Sequence, residues 1–176
     1  QAQESLIVAE GWGGLLLVDQ HRAHERILYE LLVQREGSAG QEEGLVEPLV
    51  LEVPPEQAPR LVARLPELRA LGFDCELFGQ RAFLVRAAPR LSLPSLSTSI
   101  HDLLDDVVAE SENWRQRLLV RLACRSAVRR NHPLTTEAMT ELLERLSRCS
   151  SPLVCPHGSP VALQLDPAAL RKQFDW

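Results

Sequence analysis

The amino-acid sequence predicts an α/β (α+β) fold in two lobes, one built from both chain ends and one inserted between them. Three observations carry this. Short β-type runs alternate with amphipathic helical stretches. A connector rich in Gly, Ser and charge, "REGSAGQEEG", separates an opening strand–strand–helix segment from a second set of strands and helices. Segments on both sides of that second set hold most of the chemically interesting polar residues. The expected boundaries are 1–40 and 114–176 for the lobe of chain ends, and 41–113 for the inserted lobe. At 176 residues the chain can bury one real core or two small ones.

Each element has a local reason. "SLIVAEG" and "GLLLVDQ" read as strands joined by Gly11-Trp12-Gly13-Gly14, and the second runs into a helix from about Gln20 to Gln34. "LVEPLVLEV" reads as a strand. "PPEQAPRLVARLPELRALG" reads as a helix that Pro59 and Pro66 kink or shorten. "FDCELFG" and "RAFLVRAA" form a hairpin across Gly79-Gln80. "RLSLPSLSTS" is a loop and "SIHDLLDDVVAESE" a helix with Ser or Thr as N-cap. "WRQRLLVRLACRSAVRR" is a helix with apolar residues all round its wheel, hence largely buried. "TTEAMTELLERLSRC" starts at Thr135 or Thr136. "SSPLVCPHGSP" is a proline-stiffened loop, "VALQL" a short strand, and "DPAALRKQF" a helix capped by Asp166 with Pro167 at its first position.

Bulk properties exclude several classes. With 45% hydrophobic and 24% charged residues the chain is globular rather than disordered. A net charge of -5 excludes a simple basic nucleic-acid binder. No apolar run is long enough to cross a bilayer, and the start carries no signal-peptide pattern. A cytosolic, non-membrane domain excised from a longer protein is expected. The four cysteines, Cys75, Cys124, Cys149 and Cys155, then read as metal ligands or buried apolar residues rather than disulfides.

The stretch "LLLVDQHRAHERILYELL" concentrates the chemistry. At about 100° per residue, His24, Ile27, Leu28, Leu31 and Leu32 form one apolar stripe. His21 and Glu25, four apart, share a face at its edge and can offer one nitrogen and one oxygen to the same metal. Asp19 at the strand–helix junction can cap the helix or point into a cleft. Arg22, Arg26 and Glu30 fall on the opposite, solvated face, with Glu30 placed to pair with Arg26. His24 belongs to packing.

A second cluster is "CPHG", where Pro156 fixes the backbone between Cys155 and His157 and Gly158 permits the turn. It is a ligand pair, or a buried cysteine beside a surface histidine. Cys124 reads as a core cysteine, and Cys75 and Cys149 as structural. His101 reads as a solvated residue near a helix start, and His132 as part of a turn.

Together "DQHRAHERILYE", "ACR" (Ala123 to Arg125) and "CPHGSP", in this order and spacing, make the chain resemble the C-terminal domain of the MutL family of DNA mismatch-repair proteins. The resemblance covers essentially the whole chain, inserted lobe included. It implies homodimerisation and metal-dependent nicking of double-stranded DNA. It makes Asp19 and Glu25 catalytic, and His21, Glu25, Cys124, Cys155 and His157 metal ligands. The mixed Cys/His/Glu set suits a borderline metal. The resemblance implies Zn2+ in a regulatory or structural role and Mn2+ for nicking. It further implies a MutS-type mismatch-recognition partner, a sliding clamp and a bacterial cytoplasmic location. A non-catalytic dimerisation module with a structural zinc, or with no metal, is the alternative.

Several positions depart from the family pattern. Arg22 replaces an alanine of the first motif, Ser159 stands where an arginine is usual, and the chain ends "FDW" where many nicking members have an arginine. The clamp-docking Gln-x-x-Leu/Ile-x-Pro corresponds to "EGLVEP", with Glu43 in place of glutamine and Val46 and Pro48 as its apolar part. An edge strand carrying a proline accounts for the same residues. The ATPase region of such proteins has no counterpart in these residues, so ATP hydrolysis is not expected.

Overall fold

The computed structural model describes residues 1–11, 13–34, 42–89, 103 and 105–175, without the side chains of 42–47, 169 and 170. The chain divides into two compact units: Gln1–Glu30 with Ala127–Trp176, and Leu31–Ser126.

In the unit of chain ends, β1 (Leu6–Gly11) and β2 (Gly14–Asp19) form an antiparallel hairpin, and β6 (Ala162–Leu165) pairs with the other side of β2. Strand alternation sends Ile7, Leu16 and Val18 into the core. The opposite face carries the cross-strand row Val8, Leu17 and Leu163, of which Val8 and Leu163 are exposed. Gly14 permits the β2–β6 edge, because a Cβ there would lie 2.5 Å from the Leu165 carbonyl oxygen. Helix α1 (Gln20–Gln34) begins at the residue after β2 and buries Ala23, Ile27, Leu28 and Leu32.

The middle segment forms a second antiparallel sheet in the order β3-β5-β4, from β3 (Glu42–Glu52), β4 (Asp74–Leu77) and β5 (Ala82–Pro89). Its helices are α2 (Ala58–Ala70) and α3 (Trp114–Ser126). The core includes Leu51, Leu61, Leu68, Phe83, Val85, Leu118 and Leu122, and burying each such side chain is worth about 1.5–3 kcal/mol. Pro59 opens α2 and Pro66 sits inside it, so the helix starts at Ala58, not at Pro54. In the expected helix of 99–112, residues 103 and 105–108 are helical and 99–102 and 104 lie outside the described residues. Arg64 ties down its end by donating to the Val107 and Ala109 carbonyls, with its guanidinium 4.8 Å from the Trp114 ring centroid. Pro48 is exposed on edge strand β3, between Gly44 and Leu49 where the β3–β5 register shifts, a place that tolerates a missing N–H. The side chains of Glu43 and Val46 lie outside the described residues.

Two helices return to the first unit. α4 (Thr136–Ser147) is capped by Thr135 Oγ1, which accepts from Ala138 N–H at 3.2 Å. α5 (Pro167–Phe174) is capped by Asp166, which accepts from Ala168 N–H at 2.9 Å. Both caps agree with the sequence expectation. α3 is shorter than expected: it ends at Ser126 instead of running on to Arg130. Its expected continuation gives way because side chains of α1 bind both backbone polar groups of Val128.

Candidate metal centre

Helix α1 places its side chains on three distinct tasks. Asp19 caps it: Oδ1 accepts from Arg22 N–H at 3.0 Å. Oδ2 faces two guanidinium groups, Arg130 at 3.5 Å and Arg22 at 3.7 Å. His21 and His24 clasp Val128 between them. His21 Nδ1 lies 2.8 Å from the Val128 carbonyl, and His24 Nδ1 accepts from Val128 N–H at 2.9 Å. His24 is therefore a packing residue held neutral, with its proton on Nε2. Burial, aided by the charges of Arg145 and His21, pushes it down to about 4.

The third task corrects the sequence expectation. The face of α1 expected to be solvated is the dock for residues 150–160. Arg22 donates to the Pro160 carbonyl at 2.9 Å and Arg26 to the Val154 carbonyl at 2.6 Å. Glu30, only 9% exposed, accepts from Ser150 N–H at 2.8 Å, Ser150 Oγ–H at 2.9 Å and Ser151 N–H at 3.3 Å. The expected Arg26–Glu30 pair is present at 3.6 Å. Positions 22, 26 and 30 recur every four residues, so they present one continuous stripe of donors and acceptors to that segment.

The docked segment is a hairpin. Cys155 N–H donates to the Ser159 carbonyl at 2.8 Å and Gly158 N–H to the Cys155 carbonyl at 2.9 Å. The three-residue loop Pro156-His157-Gly158 closes on a glycine at φ +84°, a left-handed conformation that favours glycine. This turns Cys155 inward, 2% exposed, and leaves His157 at the surface.

The two parts meet at Glu25, a carboxylate on a residue only 3% exposed. Its Oε1 lies 3.2 Å from His21 Nε2 and its Oε2 3.7 Å from His157 Nδ1. Donor atoms of Glu25, Cys155 and His157 all lie within 4.8 Å of one another. Because His21 Nδ1 donates to Val128, its Nε2 presents a lone pair toward the carboxylate. A proton or a metal ion between those atoms makes the approach attractive. One carboxylate, one thiol and imidazole nitrogens form a donor set that fits zinc.

Asp19 belongs to no group of metal donors among the described residues. Cys124 lies half-buried on α3, in the second unit. Burial pushes the thiols of Cys75 and Cys149 up to about 11, so both stay protonated at neutral pH. Sequence reasoning missed Gln20. Fully buried, it donates to the carbonyls of Glu4 at 2.9 Å, Arg129 at 3.2 Å and His132 at 2.9 Å, tying the start of α1 to both neighbouring segments. A signal existed: on the α1 wheel Gln20 falls within about 40° of His24 and Ile27, a polar amide on the apolar stripe.

Fold and donor set together define an α+β domain with soft metal donors around one buried carboxylate. Residues 1–134 match the family described as MutL C terminal dimerisation domain, and the chain belongs to that family. Across 99% of its length it is similar to proteins named DNA mismatch repair protein MutL. It is 35% identical to that of Koribacter versatilis (strain Ellin345), 38% to that of Methanoculleus marisnigri (strain ATCC 35101 / DSM 1498 / JR1) and 34% to that of Listeria monocytogenes serovar 1/2a (strain ATCC BAA-679 / EGD-e). The chain spans 28%, 31% and 30% of those proteins. No helix among the described residues is long and apolar enough to cross a membrane.

Proposed function

We propose that the chain is the homodimerising C-terminal part of a mismatch-repair protein, and that it carries a metal-dependent site for nicking double-stranded DNA. The observation that carries the site is the convergence of His21, Cys155 and His157 on buried Glu25. Cys124 is proposed as a further ligand from the family motif. It lies four residues before Val128, whose carbonyl holds His21. A divalent ion bound there supplies Lewis acidity and positive charge for phosphodiester hydrolysis.

The chain's own residues do the rest. Val128 fixes the tautomer and ring direction of His21. Arg22, Arg26 and Glu30 hold the hairpin that presents Cys155 and His157. Asp19 fixes the helix start and, in this reading, would help hold the catalytic metal ion or its water when substrate is present. The apolar row Val8, Leu17 and Leu163, exposed at Val8 and Leu163, is the proposed dimer surface, and the inserted unit the proposed docking unit for a sliding clamp. A MutS-type protein would deliver the complex to a mismatch.

The engagement of Asp19 with two arginines favours one second reading, a dimerisation module whose zinc is structural. Elemental analysis with a manganese-dependent nicking assay on supercoiled plasmid separates the two. We expect bound zinc that Cys155→Ser removes, and nicking that Asp19→Asn abolishes. Full metal content in Cys155→Ser overturns the site. Zinc without nicking supports the structural reading. Sedimentation is expected to show a dimer that Leu163→Lys dissociates.

A further inference from the structure

Helices α1 and α4 of the chain-end unit leave a cavity of about 230 Å³ between them. Buried Ile27 and Leu142 and half-buried Leu134 give it an apolar floor, and Ala138 adds only a methyl group to its wall. Three polar side chains line it: His24 from α1, and Glu141 and Arg145 from α4. The α4 residues recur at intervals of three and four, so they share one face of that helix. None of these side chains is a ligand of the proposed metal centre.

The polar groups have donors to spare. Val128 N–H can only donate, so His24 Nδ1 must accept and the ring proton stands on Nε2. That Nε2–H has no acceptor among the described residues, and it is not sealed inside the protein. Arg145 meets Glu141 at 3.6 Å, four residues earlier on α4, with the two side chains 41% and 70% exposed. So exposed a pair is weak, and its guanidinium can turn to a better-held anion. A neutral N–H donor and a guanidinium beside an apolar floor match a carboxylate on a compact apolar body. Volume limits that body. Pockets for drug-sized ligands run from about 300 to 1,000 Å³, so this one takes a single ring or a short branched chain. We propose that the cavity is a binding site for a small organic acid, its carboxylate held by Arg145 and His24 Nε2–H and its apolar part resting on Ile27, Leu134 and Leu142. The site needs neither metal nor DNA.

Phenylacetate is the probe, titrated into the full chain by calorimetry and by ligand-observed NMR, with phenylacetamide as its uncharged counterpart. Phenylacetate is expected to bind in the millimolar range or tighter, and phenylacetamide about fivefold more weakly or worse. Arg145→Gln should weaken phenylacetate about tenfold and leave phenylacetamide unchanged. Glu141→Gln should tighten phenylacetate, because the competing carboxylate is gone. Ala138→Leu should abolish binding of both by filling the cavity, with the helical circular dichroism of the chain retained. If that variant does not fold, the two glutamine variants, both at solvent-accessible side chains, decide the matter by their opposite signs. Absence of phenylacetate binding, equal affinity for the acid and the amide, wild-type affinity in Arg145→Gln, or binding that survives in folded Ala138→Leu overturns the proposal.

Discussion

Glu25 and Glu30 stand five residues apart on one helix, are 3% and 9% exposed, and are held in opposite ways. Glu30 is surrounded by groups that donate to it: two backbone N–H groups, a serine hydroxyl and an arginine. Its burial is fully explained by the chain that surrounds it. Glu25 faces two imidazoles and, with Cys155, a thiol. Those groups attract a carboxylate only through a proton or a shared cation. Burial alone therefore does not mark a functional carboxylate. The chemistry of its partners does.

The contrast can be broken by exchange at each end. Glu25→Gln has the largest expected effect. Losing the central donor should lower zinc affinity by more than about a hundredfold, beyond what a change in a supporting residue costs. Equilibrium competition with a chromophoric chelator measures this, and wild-type affinity would remove Glu25 from the site. Glu30→Ala should leave metal binding almost unchanged at saturating zinc and instead destabilise the fold by about 2–4 kcal/mol, because buried N–H groups lose their acceptor. Urea unfolding of the zinc-loaded chain measures it. A loss below about 0.5 kcal/mol would contradict the structural role, since that is the size of an ordinary surface change.

The same pair predicts a pH effect. Burial pushes Glu30 up, but the Ser150 N–H and hydroxyl, the Ser151 N–H and Arg26 together hold it below its ordinary value of 4.5. Its folded value lies below the unfolded one. Its stabilisation is therefore present above about pH 4.5 and disappears as pH falls through the lower folded value. Melting curves over that acid range should show a smaller decline for Glu30→Gln than for the wild type. Parallel declines would mean that Glu30 contributes nothing to it.

The smallest expected effect is at the hairpin. Gly158 has φ +84° and no atom within 4 Å of the position a Cβ would take, so Gly158→Ala adds backbone strain without a clash. About 1–2 kcal/mol of destabilisation is expected, with zinc affinity reduced because His157 is the neighbouring residue. Unfolding and metal titration of one variant check both, and an unchanged Tm would show that the turn does not need glycine.

Much of this was legible in the sequence because its causes are local. Alternation in "LIVAEG" and "GLLLVD" encodes a hairpin, and Asp166-Pro167 and Thr135 encode helix starts. The four-residue spacing of His21 and Glu25 puts them on one face, and Pro156 with Gly158 encodes a tight turn. Each depends on a few neighbouring dihedrals and hydrogen bonds. Glu30 was misplaced on a solvated face because a helical wheel shows only which residues share a side. It does not show that a segment 120 residues later would cover that side. The early end of α3 was hidden for the same reason: its competing partners, His21 and His24, come from α1.

The sequence by itself determined the elements, the capping residues, the α+β class and the motifs that resemble the family. Those properties follow from side-chain period and backbone propensity within short windows. Only the tertiary structure decided that Glu25 meets Cys155 and His157, that Glu30 serves packing, and that Arg22 holds the Pro160 carbonyl. Each of these depends on which distant segment satisfies a buried polar group, and that is settled by the closing of the whole chain-end unit rather than by any one stretch of it.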